Sequence, residues 1–230
     1  MSAERVSVVI PVRDCEAYIG EAIGSVLDGT RPPEEVVVVD DGSADASAAA
    51  AEARGEQVRV IRRPAAGIAA AVNAGVAEAA GDLIAFIDAD DLWSPDKLEA
   101  QLAVLADPGL DAVFGRVREF HSPELSAEQR AGVVRREGEH DARLRGTMLA
   151  RRELLERVGP FDESLTIGEF VDWHTRAEGA GMRSAMLDRL VLHRRLHMSN
   201  MGRSSTGALG DYARIARAAI ARRRALEGRG

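Results

Sequence analysis

Four short runs of β-branched and aliphatic residues, each followed by a segment of helical character, constrain this chain more than any other feature. They are Val6–Pro11, Val36–Val39, Val58–Ile61 and Leu83–Ile87. The runs are largely apolar, broken only by Ser7 and Arg59, the pattern of strands buried on both faces. After the first run, Ile19, Ala22, Ile23, Val26 and Leu27 recur at helical spacing, and Gly29 supplies a stop. Ala44–Arg54 and Gly67–Ala80 are alanine-rich and predict two more helices, the first capped by Ser43 or Asp45. Ser94-Pro95 opens a further helix over 96–106, and a fifth strand is expected near Asp111–Phe120. The alternation predicts an α/β, Rossmann-like chain whose mostly parallel sheet carries helices on both faces. Right-handed crossovers then bring the strand C-termini to one edge, where ligands bind in such sheets.

Beyond this region the pattern loosens. Residues Ser122–Arg145 are polar and irregular, and read as an excursion or loop rather than a linker. Helices are expected over Leu149–Val158 and Glu169–Gly179, a strand near Met186–His193, and a terminal helix over Leu209–Leu226. Six arginines between Arg214 and Arg229 give that last segment a solvated, basic face. A chain of 230 residues fits one generous domain, or one with a small lobe, and buries a core without disulfides. The formal net charge of -7 argues against a general nucleic-acid-binding surface. Cys15 is the single cysteine and cannot close an internal disulfide, which points to a reducing, cytoplasmic setting. No apolar stretch reaches the roughly 18 residues of a transmembrane segment, and the N-terminus lacks a signal peptide's apolar core.

The polar ends of the strands carry the chemistry. Asp88-Ala89-Asp90-Asp91 closes the fourth run, and three carboxylates so close repel one another unless a positive charge neutralises them. A hard divalent cation, Mn²⁺ or Mg²⁺, suits oxygen ligands and also grips a diphosphate. Asp40-Asp41 closes the second run in the same relative place. A carboxylate there can accept a hydrogen bond from a base N–H or hold a ribose hydroxyl. Asp40 is expected to read the base, with Asp41 as helix cap or support.

These segments together resemble the family 2 glycosyltransferases of the GT-A fold. The resemblance rests on Val8-Val-Ile-Pro-Val-Arg13, Val38-Val-Asp-Asp-Gly-Ser43 and Phe86-Ile-Asp-Ala-Asp-Asp91. Gly67–Gly81, containing Asn73-Ala-Gly75, and Gly159-Pro-Phe-Asp-Glu163 fit the same pattern, so that it spans most of residues 5–200. It implies a mixed, mostly parallel sheet and inverting transfer from a nucleoside diphosphate sugar, UDP-sugar favoured. Residues 1–204 would form the GT-A domain, with 1–120 as the nucleotide-sugar half and 121–204 as the acceptor half. Residues 205–230 would be a C-terminal arginine-rich helix. Pro11, Val12 and Arg13 would line the nucleotide with Asp40, the Gly67 and Asn73 segment would join the donor site, and Asp88 with Ala89 would approach the ribose. Asp90 would bind the metal, and His197, in Arg195-Leu-His197-Met-Ser-Asn200, would complete its sphere.

Inversion needs a general base to take the acceptor's proton. The family places an Asp after a Glu ahead of a helix arginine; here Gly168-Glu-Phe-Val-Asp-Trp-His-Thr-Arg176 puts Phe170 in that position. Glu169 and Asp172, three apart, are the carboxylates left on similar sides of a helix, and Glu169 is preferred for its place at the helix entrance. Val72 stands where many relatives carry a diphosphate-binding Arg, so Arg13, Arg194 or Arg195 would have to supply that charge. Phe170 and Val72 are also what a degenerate, non-catalytic sugar-nucleotide-binding module would show. A nucleotidyltransferase would carry a Gly-rich basic loop after the first strand, whereas Arg13-Asp-Cys-Glu-Ala is acidic and glycine-free. No motif between Ser122 and Arg152 names the acceptor.

Overall fold

The computed structural model describes residues 4–198 and, beyond them, Asp211, Arg214, Ile215 and Arg217. The chain opens as β1 (Val6–Val12), α1 (Ile19–Leu27), β2 (Glu35–Asp40), α2 (Ser47–Glu52), β3 (Val58–Arg62), α3 (Ile68–Glu78) and β4 (Leu83–Phe86). It continues as β5 (Leu92–Trp93), α4 (Lys97–Leu105), β6 (Ala112–His121), α5 (Ala127–Gly132) and β7 (Glu139–Ala142). A 3₁₀ turn (Arg145–Thr147) leads to β8 (Leu149–Arg151), α6 (Arg152–Val158), α7 (Glu169–Gly179) and β9 (Ser184–Leu196). The strands form one sheet in the order β3-β2-β1-β4-β8-β6-β9-β5, with β7 beside β6. β1 is parallel to β2 and β4, β2 to β3, and β6 to β9. β8 runs antiparallel between β4 and β6, so the two parallel groups share one direction. The fold is therefore the expected mixed, mostly parallel α/β sheet.

Strand alternation divides the core into two layers. Val8, Ile10, Val36 and Val38 pack with Ile23 and Val26 of α1 and Leu98 and Leu105 of α4 on one face. Val9, Val37 and Val39 pack with Val72 of α3, Leu154 of α6 and Trp173 of α7 on the other. Gly75 permits this closeness, because a Cβ there would lie 2.3 Å from Val9 Cγ1.

Several local expectations are corrected. Leu149–Val158 is not one helix: its first three residues pair with β4 and β6 as β8. The excursion after Ser122 holds α5, opened by a Ser126–Gln129 capping box, and β7 on the edge of β6. The expected terminal helix is helical at Asp211, Arg214, Ile215 and Arg217, and its other positions lie outside the described residues. Among the described residues, no helix is long and apolar enough to cross a membrane.

Candidate active site

The C-terminal ends of β1, β2 and β4 and the end of β9 converge on a cleft of about 320 Å³. Of the expected site residues, Pro11, Val12, Arg13, Gly67, Asp88, Ala89, Asp90 and His197 line it. The loop after β1 is fixed to the loop after β2. Asp14 N–H donates to Ser43 Oγ at 3.0 Å, Ala44 N–H to Asp14 Oδ1 at 2.7 Å, and Cys15 N–H to Ser47 Oγ at 2.8 Å. Asp14 takes φ +50°, a left-handed conformation that aspartate tolerates better than most residues.

Asp40 and Asp41 divide their work differently from the expectation. Asp40 is buried, accepts the Ser43 N–H at 2.9 Å, and is absent from the cleft lining. Asp41 lines the cleft and takes the Ala66 and Gly67 N–H groups on its two oxygens, both at 2.8 Å. Gly67, at φ +97°, makes the turn into α3 that delivers those N–H groups. Asn73, expected at the donor, is not brought to the cleft. Its amide exchanges hydrogen bonds with the Phe161 backbone at 3.0 and 2.9 Å and reaches Glu163 Oε1, tying α3 to the segment after α6. Val72 is fully buried in the core.

The turn after β4 is held by the end of β9. The buried Arg195 donates its N–H to Asp91 Oδ1 at 2.8 Å and its Nε to the Asp90 carbonyl at 2.9 Å. Its guanidinium also lies over the Tyr18 and Phe120 rings, 4.9 Å from each centroid. Arg195 is thus held as a clamp, and among the described residues Arg13 and Arg194 are the arginines that line the cleft. Burial, then the Asp90 and Asp88 charges, push the Asp91 carboxyl well above the ordinary carboxylate range. Burial chiefly pushes the Cys15 thiol up to about 12, leaving it an inert lining group.

Asp90 Oδ2 and His197 Nε2 lie 2.8 Å apart on the cleft wall, and Tyr18 packs 4.9 Å from the imidazole. A carboxylate oxygen and an imidazole nitrogen already in contact fit a Mn²⁺ or Mg²⁺ ion in place of the shared proton. Among the described residues no group of three His, Cys, Asp or Glu side chains could hold an ion unaided. Two protein ligands leave the other positions to phosphate oxygens and water, which is how such ions bind nucleotides.

The two candidate bases separate. Glu169, buried at the start of α7, accepts Arg145 Nη1 at 2.7 Å, and Arg145 Nη2 pairs with Asp88. Asp172 instead accepts Arg176 Nε at 2.9 Å and borders a different hollow, beside Pro160. Arg176 is held by the Val158 and Pro160 carbonyls, which fixes Asp172 away from the cleft. Phe170 and Trp173 are stacked in the core, and Trp173 Nε1 donates to the Gly159 carbonyl at 3.0 Å. Arg145 carries no signal in the sequence: it stands 57 residues from Asp88 and follows a polar stretch without periodicity.

A mostly parallel α/β sheet with acidic turns gathered at its strand C-termini around one cleft defines a Rossmann-like ligand-binding protein of the GT-A type. Comparison with known proteins narrows the class. The glycosyl transferase family 2 profile matches residues 7–159. An uncharacterized glycosyltransferase of Nostoc is 30% identical over 94% of this chain and 72% of its own length. Glycosyltransferase AglE of Haloferax volcanii is 31% identical over 76% of this chain, which spans 62% of AglE. Among solved structures, S. aureus TarS 1-349 in complex with UDP-GlcNAc superposes with a TM-score of 0.75 at 20% identity, covering 95% of this chain and 66% of that one. Mannosyltransferase PcManGT from Pyrobaculum calidifontis, in complex with GDP-Man and Mn²⁺, gives a TM-score of 0.65 at 22% identity, covering 87% of this chain and 59% of that one. The chain belongs to the glycosyl transferase family 2, and so among the glycosyltransferase enzymes.

Proposed function

We propose that this protein transfers a glycosyl group from a nucleoside diphosphate sugar to an acceptor with inversion at the anomeric carbon. The carrying observation is the contact of Asp90 with His197 at a cleft whose lining includes Asp88, Arg13 and Arg194. Donors of this class accompany the structural relatives, UDP-GlcNAc in TarS and GDP-Man with Mn²⁺ in PcManGT. A UDP-sugar is favoured, with Asp41 rather than Asp40 as the carboxylate of that pair facing the base. Asp88 orients the ribose, and Arg13 and Arg194 face the phosphates. Asp90 and His197 hold Mn²⁺ or Mg²⁺, and stabilising charge on the departing diphosphate is the chemistry such an ion supplies. Glu169 takes the acceptor's proton as the acceptor oxygen attacks the anomeric carbon, since its partner Arg145 also holds the cleft residue Asp88, whereas Asp172 borders the hollow beside Pro160 and Phe170 offers no carboxylate. Residues 1–120 serve the donor, joined there by Arg194 and His197, and the rest of 121–198 serves the acceptor. The free Cys15 supports a reducing, cytoplasmic setting.

The test is UDP binding by calorimetry with and without Mn²⁺, followed by UDP release from UDP-sugars. Tight binding only with Mn²⁺, and release above the uncatalysed rate, are expected; metal-independent binding would overturn the site. A second reading, a binding module without turnover, is favoured by Phe170 in the base position. Metal-dependent binding with no UDP release from any donor or acceptor would establish it.

A further inference from the structure

Arg145 is 6% exposed, yet its guanidinium reaches two carboxylates from distant parts of the chain. Nη1 meets Glu169 Oε1 at 2.7 Å and Nη2 meets Asp88 Oδ1, across sequence separations of 24 and 57 residues. A buried guanidinium is costly unless paired on more than one side. Burial works against this charge, but Asp88 and Glu169 hold the guanidinium's pKa above its usual value. The backbone is shaped to deliver it. Leu144 N–H donates to Thr147 Oγ1 at 3.2 Å, the Thr147 hydroxyl donates to the Ala142 carbonyl at 2.8 Å, and a Cβ on Gly146 would meet Leu192 at 3.1 Å. Arg145 Nε, by contrast, is buried without a hydrogen-bond partner among the described residues. The two carboxylates, not a full set of partners, therefore fix the side chain's pose.

Charge balance gives the bridge a purpose. Among the described residues, Asp14, Asp41, Asp88 and Asp90 line the cleft against Arg13 and Arg194, with Asp91, whose pKa is raised, beside them. A diphosphate entering this cleft needs some of that negative charge cancelled. Asp88 is open to the cleft, with 42% of its side chain exposed, while Glu169 is only 10% exposed. One planar fork joins the open carboxylate to the enclosed one, and a point charge on a lysine could not hold both in the same way.

We infer that Arg145 is a positioning residue of the transfer reaction, fixing Asp88 for the donor and Glu169 for the acceptor's proton through one guanidinium. This rests on the transfer reading above. The test uses the full chain, UDP with Mn²⁺ for affinity, and UDP release from UDP-glucose and UDP-N-acetylglucosamine for turnover. Arg145→Gln should weaken UDP about tenfold, since Asp88 is left uncompensated, and lower turnover about 100-fold, since Glu169 loses its alignment. Arg145→Lys should restore most of the affinity and little of the turnover. In a Glu169→Gln background, Arg145→Gln should lower turnover no further, because the two act as a unit. Wild-type affinity and turnover in Arg145→Gln, or a full additional loss in the Glu169→Gln background, would overturn the inference. If Arg145→Gln does not fold, Arg145→Lys decides alone: unchanged turnover overturns it. Should the wild type release no UDP from either sugar, the transfer reading fails for these donors, and an unchanged UDP affinity in Arg145→Gln overturns the positioning role separately.

Discussion

Asp90 and His197 face each other through the atoms that one cation would share, so each tests the other. Asp90→Ala removes the anionic ligand, and Mn²⁺-dependent UDP binding should vanish. His197→Ala leaves the carboxylate and should weaken Mn²⁺ about tenfold in a titration; an unchanged Mn²⁺ affinity would make the histidine structural. Gly75 poses the opposite kind of question. Alanine in a helix interior is worth up to about 1 kcal/mol over glycine, but a Cβ 2.3 Å from Val9 Cγ1 overpacks the seam between α3 and β1. Overpacking costs typically 1–3 kcal/mol, so Gly75→Ala should lower the urea midpoint, and a raised midpoint would show that β1 yields. The residues at the strand ends were legible because each carboxylate cluster directly follows an apolar run. Asp40 and Asp41 were legible as a pair but not in their division, since one residue of register decides which one faces the cleft. Asn73 and Arg145 were not legible in their roles. Their partners, Phe161 and Glu163 for one and Asp88 and Glu169 for the other, are neighbours only once the sheet has closed.

The elements that matched expectation are those with a clear local pattern: helical spacing in α1, alanine richness in α3, and apolar runs of β-branched and aliphatic residues in β1 to β4. β5 and β8 have two and three residues, too few for any period to show, and they are made into strands by pairing with β9 and with β4 and β6. β9 runs for 13 residues and carries Asp188, Arg189, Arg194 and Arg195, charges that break the apolar run by which a buried strand is legible. One element holds a buried charge outside the active site. Lys97, the first residue of α4, is fully buried, donates to Gln101 Oε1 at 2.5 Å and lies 4.6 Å from the Trp93 ring centroid. Burial pulls its pKa down to about 7. In the unfolded chain a lysine keeps its proton to about pH 10.4. Between those limits the unfolded state binds more protons, so stability falls as pH drops from about 10 towards 7 and is level below. The slope from this residue is roughly 1 kcal/mol per pH unit. Lys97→Met keeps a long flexible chain and removes the proton. Urea unfolding at pH 7 and pH 9 should show the wild type gaining stability at the higher pH and the variant gaining markedly less; equal gains would mean that Lys97 finds a counter-charge.

At the scale of the molecule, one sheet carries both the cleft-lining turns of β1, β2 and β4 and the β9 end that leads to His197, so occupying the cleft reports on the stability of the whole. The chain bears a formal net charge of -7, and among the described residues Asp14, Asp41, Asp88 and Asp90 line the cleft against Arg13 and Arg194. UDP alone meets this field with like charge and should bind weakly. Mn²⁺ alone would find two protein ligands in Asp90 and His197 on the proposed reading and should also bind weakly. Together each supplies what the other lacks, so their effects on folding must exceed the sum of the separate ones. A ligand present at about 100 times its Kd adds roughly 2.7 kcal/mol to stability. For a domain of this size each kcal/mol moves Tm by about 2–4 °C. Thermal unfolding should therefore shift by about 5–10 °C with UDP and Mn²⁺ together, and by a small fraction of that with either alone. Raising the ionic strength should narrow the penalty on UDP alone, because screening weakens repulsion at an open cleft more than it weakens direct coordination. Separate shifts that simply add would show that nucleotide and metal do not meet at Asp90.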